Sequence, residues 1–136
     1  MKGFTLIETI VAVGIIVIGL VSALGAITTS LFYVSNIGDR LIAANLAAEG
    51  LEVVRNIRDN NWLVNLSWNN GLVDGDYQAS YDSTAMTSYS GNPLLLDSGT
   101  GLYSYSSGAG TLFVRKISIS NLSSYEIRVI STVTWQ

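Results

Sequence analysis

Hydrophobic and polar positions divide this chain of 136 residues into three stretches with different periods. After Met1-Lys2-Gly3, apolar residues run almost unbroken from Phe4 to Ile27, interrupted by one carboxylate, Glu8. These 24 residues are rich in Ile, Val, Leu, Ala and Gly. About 20 apolar residues cross a bilayer core, so the stretch is long enough to span one with some tilt. Thr28-Thr29-Ser30 marks the expected exit into the interface. Helical periodicity then continues without the hydrophobicity. Leu46, Gly50, Val54 and Ile57 fall on one face, and Glu49, Glu52, Asn56 and Asp59 on another, which reads as solvated. Glu52 with Arg55, and Arg55 with Asp59, are spaced for helix-surface ion pairs. Helix-poor residues accumulate at Asp59-Asn60-Asn61, where the helix is expected to stop. From Phe4 to Asn60 this predicts about 85 Å of helix.

From Trp62 onward the period changes to two. Tyr125, Ile127, Val129, Val133 and Trp135 alternate with Glu126, Arg128, Thr132 and Thr134, which predicts a strand with one buried face. Thr111 to Ser120 predicts a second strand, with Phe113, Ile117 and Ile119 on one side and Lys116 and Ser118 on the other. A turn over Asn121 to Ser124 would join the two as an antiparallel hairpin. Asp74-Gly75 or Asn70-Gly71 turns the chain into a third strand, with Tyr77, Ala79 and Tyr81 on one face. Residues 83 to 110 are rich in Ser, Gly, Tyr and Thr and lack a clear period, so they read as a long surface excursion with one or two short strands. The last strand stops near Trp135 with no closing turn, which leaves either an unusual sheet end or a shortened chain, and an edge ready to pair with another chain. A head of about 75 residues has a small core of its own, and it needs the second half of the helix as its missing apolar layer. The fold class is therefore α+β: a long N-terminal helix packed on a small antiparallel β-sheet head. The expected segments are a leader at 1–3, a helix at 4–60 with 4–27 in the membrane, and a β-rich head at 61–136.

Composition sharpens this reading. The apolar fraction is 49% and the charged fraction 12%, which is low for a soluble domain. The deficit is concentrated early, since no residue from Thr9 to Ile37 is charged. Net charge is −3, which argues against an electrostatic nucleic-acid surface. There is no cysteine, so no disulfide staples the head, and no histidine, which removes the usual general base and a common metal ligand. No nucleophile–base pair, phosphate loop or cofactor motif is visible, and the chain does not read as an enzyme. Asp74-Gly75-Asp76 with Asp82 raises the question of calcium, but the spaced ligand loop is missing and turn chemistry explains these residues. The Tyr and Ser content of residues 77 to 106 suits a contact surface for adhesion and suits a plain loop equally.

The first eight residues carry the functional signal. An ordinary secretory signal is cut after its apolar segment. Here a basic leader ends at Gly3, before the apolar segment, which would therefore be retained. A carboxylate inside such a segment is expensive and needs a reason. Lys2-Gly3-Phe4-Thr5-Leu6-Ile7-Glu8 resembles the prepilin cleavage and methylation motif of type IV pilins and pseudopilins, without departure at these positions. The stretch Ala47 to Asp59 is similar, more weakly, to the matching part of certain minor pilins. The resemblance implies a pilin-like fold and cleavage by a membrane-bound prepilin peptidase between Gly3 and Phe4. It also implies N-methylation of Phe4 and an assembly role for Glu8, which would neutralise the Phe4 amine of a neighbouring subunit or of its own chain. Further implied partners are other pilin subunits, a platform protein and an assembly ATPase. Lys2 favours a cytoplasmic N-terminus and an exported head, first in the cytoplasmic membrane and then in an extracellular filament. Many pilins have a helix-breaking proline in this segment and a C-terminal disulfide; here the only proline is Pro93 and there is no cysteine. Gly19, Ala23, Ala26 and Ser30 form a small-residue stripe that permits close helix approach or is ordinary membrane-helix composition. The resemblance fits a minor pilin, a pseudopilin of a secretion or DNA-uptake system, or, outside the family, a single-pass anchored binding protein that never assembles.

Overall fold

The computed structural model describes Gly3 and Thr5 to Trp135; Met1, Lys2, Phe4 and Gln136 lie outside the described residues. Among the described residues one long helix, α1 (Leu6–Leu63), is followed by seven strands. These are β1 (Gly75–Gln78), β2 (Thr87–Ser88), β3 (Leu95–Leu96), β4 (Tyr103–Ser104), β5 (Ala109–Gly110), β6 (Val114–Ser123) and β7 (Glu126–Thr134). All pairings are antiparallel. One sheet has the order β2-β1-β6-β7 and the other β4-β3-β5. The layout is α+β, as the change of period predicts. The chain divides into two compact units, residues 1–39 and 40–136.

The first unit is a helix with no core. Its large apolar side chains from Leu6 to Ile37 are exposed around the whole circumference. Its best window has a mean hydropathy of 2.8, so it is long and apolar enough to cross a membrane. The hydroxyls inside this stretch are returned to the helix's own carbonyls: Ser22 Oγ donates to Ile18 O at 2.8 Å and Thr29 Oγ1 to Gly25 O at 2.9 Å. Such back-bonding keeps polar groups satisfied where no water is present.

In the second unit the helix supplies one wall of the core. Ala43, Leu46, Val53, Val54 and Ile57 are all buried, following the predicted face. Two apolar clusters form against it. Val53, Val54 and Ile57 pack with Leu72, Ala79, Ile117 and Ile119. Ala43 and Leu46 pack with Leu94 and Phe113. Residues 83 to 110 are thus more structured than their composition suggests. They hold four short strands and bury Leu94 completely. Gly108, at φ 124°, permits the approach of β5 to β3, because a Cβ there would lie 2.5 Å from the Leu96 carbonyl carbon.

Other local expectations are corrected. The helix runs past Asp59-Asn60-Asn61 to Leu63, since Asn61 is buried and its Nδ2 donates to Trp68 O and Asn70 O at 3.2 and 2.9 Å. The stop comes at Asn65, whose φ of 59° lets Leu66 N–H reach Asn61 O at 2.8 Å and Asn65 N–H reach Trp62 O at 3.1 Å. The hairpin turn lies at Ser124-Tyr125, because β6 continues through Asn121 to Ser123 with Leu122 as an extra residue. Tyr125 therefore sits at the tip, 92% exposed, instead of in the buried row. Tyr81 lies in a turn after β1 and is also exposed.

Candidate functional site

The N-terminal constellation is built at the start of α1. Gly3 is exposed and precedes the helix. Phe4, the expected site of cleavage and methylation, lies outside the described residues. Thr5 is the helix cap. Its N–H and its Oγ1 both donate to Glu8 Oε2 at 3.1 Å, and Glu8 N–H donates back to Thr5 Oγ1 at 3.4 Å. This is a reciprocal capping box, which satisfies two amides that the first helical turn leaves unpaired. It also puts a negative charge at the positive end of the helix dipole. The spacing Thr-x-x-Glu announces this arrangement in the sequence. Glu8 thus has a local partner within its own chain, through Thr5.

A second polar centre lies in the head. The inward row of β6 reads Arg115, Ile117, Ile119, continuing the side of Phe113 just before the strand, and Arg115 is fully buried among them. Its guanidinium donates to Glu49 Oε1 at 2.8 Å, to Leu46 O at 2.9 Å, and to Ala79 O. Gly50 makes room for it. A Cβ on Gly50 would lie 3.2 Å from Arg115 Cδ and 2.5 Å from Ser131 Oγ. Tyr105 Oη donates to Arg115 O at 3.0 Å, and burial raises the Tyr105 phenol above its ordinary value, partly opposed by the Arg115 charge. Glu49 is consequently not a member of a solvated face. Sequence reasoning missed this pair, although a charged residue inside an apolar alternation was the available signal. Of the two expected surface pairs, Glu52–Arg55 forms at 3.1 Å, while Asp59 pairs with Arg58 at 2.7 Å instead of with Arg55.

Two of the three carboxylates considered for calcium, Asp74 and Asp76, are engaged with β6. Asp74 Oδ1 accepts from Asn121 N–H at 2.5 Å and from its Nδ2 at 2.9 Å. Asp76 accepts from Ser118 Oγ at 2.5 Å and Lys116 Nζ at 3.2 Å. These bonds hold both acids below the usual carboxylate range, through the Asn121 amide for Asp74 and the Ser118 hydroxyl first for Asp76. Among the described residues no group of three His, Cys, Asp or Glu gathers that could hold a metal ion. Comparison with family models, with curated proteins and with solved structures finds no match to this chain.

Proposed function

We propose that the chain is a structural subunit of a bacterial type IV pilus-like filament, most similar to a minor pilin. It is made as a prepilin, held in the cytoplasmic membrane by α1, and cut between Gly3 and Phe4. The observation that carries this reading is the excess of apolar helix. Thr9 to Ile37 contains no charge, and large apolar side chains stay exposed from Leu6 as far as Ile37, with Thr28, Thr29, Ser30 and Asn36 interspersed among the last of them. From Leu6 to Ile37 that is about 48 Å of helix against a bilayer core of about 30 Å. A plain anchor has no use for the surplus. Helices of neighbouring subunits would cover it, and head-to-tail packing of that kind gives a fibre. The leader motif at Gly3, Phe4 and Glu8 supports the same reading. A prepilin peptidase, other pilins, a platform protein and an assembly ATPase follow as partners. A pseudopilin of a secretion system fits the same features.

The capping box favours a second reading, a single-pass anchored binding protein, because it gives Glu8 a local purpose. The intact mass of the chain, expressed with and without a prepilin peptidase, separates them. Loss of Met1 to Gly3 plus one methyl group on Phe4 is expected. An uncut chain, where a known prepilin is cut, overturns the filament reading. On that reading Glu8→Gln, which keeps the cap's acceptor oxygen, still removes the subunit from sheared filaments. The anchored protein tolerates it.

A further inference from the structure

The free edge of β7 and a cleft beside it form one feature. β7 ends its sheet, and among the described residues no strand pairs with its outer edge. Its nine residues, Glu126 to Thr134, carry two charges, Glu126 and Arg128, near the turn and few other edge defences. There is no proline, lysine or bulge in it, and the inward row Ile127, Val129, Ser131, Val133 carries no charge. That row is only half-buried, whereas the inward row of the neighbouring β6 is buried.

Beside this edge lies a cleft of about 390 Å³. Its floor is Leu51 and Val54 of α1, and its near wall is Ile127 and Val129. No residue of β6 lines it, so it opens on the free side of β7. Arg55 and Arg58 stand on the helix side against a single carboxylate, Glu126, on the other. The lining is therefore cationic in a chain whose net charge is −3. Both arginines are held by exposed ion pairs, to Glu52 and Asp59, which an incoming carboxylate can displace at little cost. Trp68 and Tyr125 close one end.

We propose that this cleft receives an extended segment of another polypeptide, which adds a strand to β7, lays alternate apolar side chains over Leu51 and Val54, and sets acidic residues against Arg55 and Arg58. Main-chain pairing supplies affinity and the alternate pockets supply selectivity. The proposal stands independently of the filament reading, since any exported partner could provide the strand.

The test uses the full chain in detergent and a fluorescein-labelled peptide of eight residues, alternating valine and threonine and ending in two aspartates. Saturable anisotropy is expected. The same peptide N-methylated on alternate residues cannot complete a ladder and should bind at least tenfold more weakly. Arg55→Glu with Arg58→Glu should weaken the unmodified peptide about tenfold while leaving the circular dichroism unchanged. Absence of saturation, equal binding of the methylated peptide, or indifference to the charge reversal each overturns the proposal.

Discussion

Arg115 is the residue on which the head's packing turns. A fully buried guanidinium tolerates its position because Glu49 supplies the opposite charge and two carbonyls accept further N–H bonds from it. Among the described residues its Nε has no partner, and neither has Ser131 Oγ nearby. Removing one member of a buried pair strands the other, at a cost of about 3–5 kcal/mol. Glu49→Ala should therefore lose about that much in urea denaturation, and Glu49→Leu with Arg115→Met should lose less than Glu49→Ala alone. A simple sum of the single effects would contradict the coupling. Gly50 makes a second residue-scale case. Alanine normally favours a helix by about 1 kcal/mol over glycine. Here the added Cβ meets Ser131 Oγ at 2.5 Å, so Gly50→Ala should destabilise by about 1–3 kcal/mol. Ser131→Ala removes that oxygen and should restore most of the loss in the same denaturation assay.

At the scale of elements, β1 is pinned to β6 by acids as well as by its ladder. Asp74 and Asp76 both have depressed folded values, so their contribution is present above the ordinary carboxylate value of 3.8 and is lost as pH falls below it through the lowered folded values. Thermal melts of the chain should shift downward as pH falls below about 5. Asp74→Asn with Asp76→Asn should flatten that part of the curve; an unchanged slope would place the acid sensitivity elsewhere. These bonds cross from residues 74–76 to 116–121, so no local pattern announces them. The hairpin of β6 and β7 was legible because period-two alternation is local. Its turn was misplaced because the extra Leu122 shifts register, a bulge the alternation does not reveal.

At the scale of the molecule, the surplus apolar helix separates an assembling subunit from an anchor. Ile37 is 64% exposed and lies beyond any 20-residue span that begins at Leu6. Ile37→Lys should leave membrane insertion intact, since a lysine past the hydrocarbon core costs little. On the filament reading an uncompensated ammonium in the core is expensive, so the variant should disappear from sheared filaments while persisting in the membrane fraction. Equal incorporation of variant and parent would remove the surplus helix as support for assembly.

Sequence by itself determined the features that depend on neighbours in the chain. The apolar run from Leu6 is read from composition alone, while the helical face of Leu46, Gly50, Val54 and Ile57 and the alternating strand at Ile127 to Val133 are periodicities that the pattern of burial follows. The capping box was equally local, a Thr and a Glu three residues apart. Tertiary structure decided what joins distant segments. Glu49 and Arg115 are 66 residues apart, and each alone reads as a surface charge. Only the approach of the helix at Gly50 to β6 and β7 makes them one pair, with Arg115 fully buried and Glu49 half-buried. The cleft beside β7 belongs to the same class: the sequence points to an open edge on the last strand, but the meeting of that strand with Leu51, Val54, Arg55 and Arg58 of the helix is a property of the folded sheet.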